Sequence, residues 1–420
     1  MPVPSPSHHD TPIDDAIPLR DVASRSQVPG VGPGERTDPF WSGLWATADG
    51  GVSISWRSRR SVESLHELGF TVVRAKERRY SQEEAIALLK SRQPRLDLLG
   101  AINLWRTITT EQLAAITGRI AGNSRGGTDL SVLWSAGLVQ QGQYHDGFQR
   151  LKGVPSVFRP DNRATDHLLE ELNYRDWIGV TGGSSSVYSH QFDRHNVLTT
   201  ELALRAAEMC SLRGVAGESV AGWGKLFPPE IEPNPHRAAD AVLVRHDGRR
   251  ILIETTVTVS TATVTKVKQL AELLARDPTG STSAIFVVAA HPSSTNASTV
   301  ALLARQAIAK ATVQSMGNIM SNVASRIGVV RWKDWFPAPG MVSPNFFSLS
   351  ALTATGPRDD LWQSTDFLDP FEGALSDDPR DGLNDLYGVP HWMRFRPSDF
   401  SRHMLTSAQL PVEYLTKGAA

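Results

Sequence analysis

The chain has 420 residues, of which 40% are hydrophobic and 21% charged, and its formal net charge is −1. That length suits two or three domains, and the balance excludes a wholly disordered chain. No apolar run approaches membrane-spanning length, the N-terminus MPVPSPSHHDTPIDD lacks the basic and apolar regions of a signal peptide, and the single cysteine, Cys210, excludes an internal disulfide or a cysteine-built zinc site.

A cytoplasmic, non-membrane protein is therefore expected. The net charge hides an asymmetry. Residues 51–100 carry ten Lys or Arg against six Asp or Glu, whereas residues 351–400 carry four against ten. A basic front half suits a chain that holds nucleic acid with one end.

Residues 1–38 are rich in Pro, Ser, Gly and Asp and read as a disordered arm. Trp41, Trp45 and Trp56 mark the start of order, in a basic helical segment over 39–94. There Ser81 to Glu84 has the spacing of a capping box, and Arg57, Arg59, Arg60, Arg78 and Arg79 are candidates for phosphate contact.

Residues 95–162 form the most legible module. A helix, LDLLGAINLWR, precedes a second that starts at Thr109 or Thr110; a third covers about Asp129 to Ala136, and GQYHDGFQRLKGVPSVFRP reads as a two-stranded wing. This order resembles a winged helix-turn-helix domain. The resemblance implies that the third helix enters the major groove, with Arg125 just before it, and that Arg150, Lys152 and Arg159 on the wing touch the backbone.

An acidic helix and a Gly/Ser linker fill 163–189. His195 and Glu201 then fall on a helix running NVLTTELALRAAEMC, and Glu218 on a strand-like GVAGESVAGW. Two β-rich runs follow, Ala239 to His246 and Arg250 to Val259, separated by Asp247-Gly248, a hairpin signal. Each run carries one acid in an apolar setting, Asp240 and Glu254, and burying such an acid is costly unless something pairs with it. A three-residue loop that sets 242 opposite 254 brings both acids onto one face, and that register is expected. A helix with Val267, Leu270, Leu273 and Leu274 at helical spacing comes next, then a buried strand at 281–290, a helix from 301, and GVVRWKDWF as the last strand. Residues 337–420 form an acidic extension with aromatic anchors, expected to drape over the body, over a protein partner or over a second copy.

Asp240, a hairpin, Glu254 and a helix resemble the core of the PD-(D/E)XK, or restriction-endonuclease-like, nucleases. The resemblance implies Mg²⁺ or Mn²⁺ held by Asp240 and Glu254 with help from Glu218 or Glu201, and a lysine two residues after the glutamate. Thr256 stands at that lysine position; Lys266 or Lys268 on the next helix, or Lys225 upstream, replaces it, or the site is inert. The wider order, winged module, linker, His195-x-x-Leu198-x-x-Glu201 helix, then Asp240 and Glu254 within 190–336, is similar to the replication-relaxation family of plasmid and mobile-element proteins, which includes mobilisation relaxases. It implies an α+β multidomain chain, a winged helix followed by a nuclease-like domain with a mixed central sheet, that binds and nicks DNA and uses His195 as well as the acids. The alternative is an inactive nuclease-like scaffold in replication, mobilisation or transcription control.

Overall fold

A computed structural model of the chain describes residues 15–368 apart from 23–29, 43, 45–51, 71–79, 91–92, 119–125, 148, 162–179, 181–192, 211, 213, 219–220, 228–236, 246–248, 257–259, 278–279, 291–301, 309, 311–322 and 355–361. The architecture is mixed α+β, and among the described residues no helix is long and apolar enough to cross a membrane. Two units separate. The first comprises Ser24–Leu204 and Ala216–Val220; the second comprises Arg205–Val215 and Ala221–Asp385 together with the N-terminal residues, which carry β1 (Ile17–Pro18).

In the first unit, β2 (Val52–Arg57) leads into α1 (Arg59–Glu67), α2 (Gln82–Lys90) and α3 (Gln93–Trp105). Ser81 and Glu84 close the capping box expected at the start of α2, with reciprocal bonds of 2.8 and 3.1 Å. After β3 (Ile108–Thr109), α4 (Thr110–Thr117) starts the same way: the Thr109 hydroxyl accepts from the Gln112 amide and the Gln112 side chain accepts from the Thr109 amide, both at 3.1 Å. Gly118 ends α4 in the left-handed region at φ 67°, where a side chain would be strained. Then come α5 (Gly126–Ser135), β4 (Val139–Asp146), β5 (Gln149–Arg150) and β6 (Val157–Pro160).

The strand order is β2–β4–β6–β3, with β5 also on β4. One face of this sheet is apolar: Tyr144 and Val157 pack with Leu44 and Val197, and Val52, Ile54 and Trp56 lie against them. Gly142 sits where that packing leaves no room, since a Cβ there would stand 2.6 Å from Val157, 2.8 Å from Ile54 and 2.9 Å from Trp56. Gly142→Ala is accordingly expected to destabilise the first unit by about 1–3 kcal/mol in urea unfolding.

The helix α6 (Asp193–Met209) and the strand β7 (Gly214–Gly217) follow, then the short α7 (Trp223–Leu226), β8 (Ala241–Val244), β9 (Arg250–Thr256), α8 (Thr261–Arg276) and β10 (Thr282–Val288). Residues 302–308 are helical; β11 (Ile327–Arg331), α9 (Trp332–Trp335), β12 (Met341–Val342), β13 (Ser350–Ala354) and β14 (Trp362–Asp366) complete the described chain. The sheet of the second unit is mixed, in the order β14–β13–β11–β10–β9–β8–β7. Its centre, β9, β10 and β11, is parallel, so a helical crossover is needed after β9 and α8 provides it. Every residue of β9 and β10 is buried, the apolar core of each being Ile251–Ile253 and Ala284–Val288, and the polar ends of β9, Arg250 and Glu254–Thr256, are buried with them.

Two expectations from the sequence change here. The arm over 1–38 is ordered in part: β1 pairs with β12, Leu19 is buried, and Arg36 lies 5% exposed. A few anchors in a Pro- and Gly-rich segment suffice for that, and composition does not register them. The sheet also does not end at GVVRWKDWF. Within the expected extension 337–420, β13 pairs antiparallel with β11 and β14 with β13, and Phe367 is fully buried. Residues 369–420 and the linker at 181–189 lie outside the described residues.

Candidate active site

The hairpin β8–β9 sets Ala241 opposite Ile253 and Val244 opposite Arg250, a register two residues away from the expected pairing of 242 with 254. The turn itself, with Asp247 and Gly248, lies outside the described residues. Just before the first residue of β8 the ladder is irregular: the Asp240 amide donates to the Ile253 carbonyl at 3.0 Å, so Asp240 and Ala241 both address Ile253 as in a bulge. The carboxylate of Asp240 then accepts from the Thr255 amide at 2.7 Å. The outcome for the acids is the expected one, because Asp240 and Glu254 meet the same cation.

That cation is Lys266. Its ammonium contacts Glu254 Oε2 directly and stands 3.8 Å from Asp240 Oδ1. The Glu254 side chain is 3% exposed and that of Asp240 18%. Helix periodicity explains why Lys266 and not Lys268 arrives. Residue 266 is one turn ahead of Leu270 and two ahead of Leu273, both buried, so it extends the buried stripe of α8. Lys268 is on the opposite side of the helix and pairs with Glu272 at 3.8 Å, and this corrects its place among the site candidates. The N-cap Ser260, whose hydroxyl accepts from the Thr263 amide at 3.3 Å, fixes where that stripe begins. Thr256 is buried, and its carbonyl accepts from the Ala289 amide at 2.7 Å. The side chain of Lys225 is not among those described.

The other expected acids are engaged in the first unit. Glu201 is fully buried and takes the Arg36 guanidinium, Nε at 3.2 Å from both carboxylate oxygens, while Gln112 Nε2 donates to it at 3.2 Å. Glu218 faces Arg106 at 3.4 Å. His195 is half-buried in the first turn of α6. Among the described residues no group of three or more His, Cys, Asp or Glu side chains is placed to hold a metal. The donor set of Asp240 and Glu254 is thus two carboxylates, which fits a hard cation that keeps several waters, as Mg²⁺ does, and does not fit an all-protein cage.

The candidates for DNA contact divide sharply. Arg125, Arg78 and Arg79 lie outside the described residues. Arg59 pairs with Glu63 at 2.7 Å and donates to the Ser135 carbonyl. Arg159 is built into the fold: it bonds Asp193 at 2.6 Å and Gln140 at 2.9 Å, and its guanidinium lies 4.0 Å from the Trp56 ring centre. Burial pulls its pKa below the ordinary arginine value and Asp193 opposes that. Arg60, Arg150 and Lys152 are exposed, and Arg57 is half-buried. The third helix of the module, α5, is the largest departure. From Asp129 to Ser135 every side chain except Ser131 is buried, under α2 and α3, and Asp129 is tied to Arg95 at 2.9 Å. No protein-family model, curated protein or solved structure matches this chain.

Proposed function

We propose that the chain is a metal-dependent DNA endonuclease or nickase of the plasmid, phage or mobile-element kind. In this reading the first unit, a winged-helix variant, binds DNA, and the second, a PD-(D/E)XK-like domain, cuts it. The observation that carries the reading is the convergence of Lys266 on Asp240 and Glu254, which supplies from α8 the amine that Thr256 cannot. Membership of the replication-relaxation family is part of the same proposal, supported by the order of the modules along the chain. Asp240 and Glu254 would hold Mg²⁺ or Mn²⁺, whose chemistry is to lower the pKa of water and neutralise phosphate charge. Lys266 would place its positive charge at the phosphoryl oxygen as negative charge develops there. Asp240 stays oriented for this because the Thr255 amide holds its second oxygen.

Supercoiled plasmid incubated with purified protein and Mn²⁺ tests the reading. Nicking is expected for the natural chain and a loss of at least about a hundredfold in both Asp240→Asn and Lys266→Met. Intact, salt-sensitive DNA binding with no nicking by the natural chain would instead support an inactive scaffold, the reading that Thr256 at the usual lysine position favours.

A further inference from the structure

Residues 129–135 of α5, all buried except Ser131, offer DNA no reading face. In β2 and β4 the residue pairs Ser53 with His145 and Ser55 with Gln143 stand opposite each other, and β5 sets Arg150 opposite His145. Side chains alternate along a strand, so these five and Arg57 share one face of a three-stranded ribbon, while Ile54, Trp56 and Tyr144 point to the apolar side. Ser53, Ser55 and Arg150 are exposed, and Arg57, Gln143 and His145 are half-exposed. This face carries two hydroxyls, one amide, one imidazole and two guanidinium groups, with no carboxylate among the six. The nearest strand acid, Asp146, pairs with Gln149 and Val52 and therefore lies on the other face.

We propose that the phosphate backbone of duplex DNA docks on this face of β2, β4 and β5, and that residues 129–135 of α5 enter no groove. The proposal rests on the reading of the chain as a protein that acts on DNA, and it assigns the surface that does the holding. Charge complementarity selects the partner, since six donor-rich residues with two guanidinium groups and no carboxylate among them attract phosphate oxygens. Duplex is favoured over single strand because no Phe, Tyr or Trp stands among the six residues to stack an unpaired base; Trp56 is turned inward under Arg159.

The test is fluorescence anisotropy of a labelled DNA duplex, and of one of its strands alone, with the full chain and no divalent cation, as a function of salt. Tighter binding of the duplex is expected. Arg150→Gln should reduce the slope of log affinity against log salt by about one, Ser55→Glu should weaken binding roughly tenfold, and Ser131→Glu on α5 should change neither. Unaltered binding in both sheet variants, a loss in the α5 variant, or preference for the single strand would overturn the assignment. If the sheet variants bind as the natural chain does while plasmid nicking persists, only the docking face fails; if the natural chain binds no duplex, the DNA reading fails with it.

Discussion

Arg36→Met is expected to lower the stability of the first unit by about 3–5 kcal/mol, because it strands the carboxylate of Glu201 in the interior. The two side chains are 1% and 0% exposed, and Arg36 makes three contacts at 3.1–3.2 Å to the Glu201 oxygens and one of 2.7 Å to the Val31 carbonyl. Gln112 cannot carry the charge alone, since its amide also serves the Val197 carbonyl at 2.9 Å. For a unit of this size the loss corresponds to a fall in Tm of roughly 6–20 °C. Most of it should return in Arg36→Met/Glu201→Gln, where the stranded group is neutral. If the single variant melts within a degree or two of the natural chain, the N-terminal segment does not close this core and Glu201 is again a candidate for chemistry.

Phe367→Ala should cost the second unit a similar amount, about 3–5 kcal/mol in urea unfolding. Its ring fills the space over Gly328, whose Cβ position lies 2.7 Å from two ring carbons, and its carbonyl accepts from Arg245 at 2.8 Å. This residue fastens β14 to the sheet from outside the six parallel and antiparallel pairings that the strands make for themselves. Phe70→Ala provides the contrast: Phe70 is 59% exposed, and its removal should change stability by no more than about 0.5 kcal/mol. Equal effects from the two phenylalanines would mean that residues 350–368 are an appendage, as their composition suggests, and not part of the sheet.

The candidate site was readable in the sequence as far as its residue types. Acids inside apolar strands are rare enough to draw notice, and a hairpin followed by a capped helix limits what can reach them. The choice between Lys266 and Lys268 was also present, in the spacing of 266 to Leu270 and Leu273, although it becomes decisive only when those leucines are known to be buried. The register was not readable, because a shift of two residues leaves the same side chains on each face, so the pattern of acids and apolar residues fits both pairings. Local helix signals behaved well, as the Thr109–Gln112 cap shows. In α5 the residue types of Leu130, Leu133 and Trp134 mark them as core, and they are buried, whereas the burial of Asp129 against Arg95 could not be read from the helix's own residues. The strands β13 and β14 were hidden for a different reason: SALTA and WQSTD carry too few apolar side chains to stand out.

That same polarity governs how the molecule meets its copies in a crowded solution. Within the described sheet β14 is the border strand, and its backbone offers an incoming chain the usual row of donors and acceptors. Yet Gln363, Ser364 and Asp366 are exposed along it, and the hydroxyls of Ser364 and Thr365 are each bound at 2.7 Å to Ser350 and Thr353 of β13. A stray strand docking there would gain little apolar contact and would crowd the Asp366 carboxylate. Among the described residues the seven-stranded sheet thus has at β14 a border that resists templated growth into fibrils, at the expense of being nearly invisible as a strand.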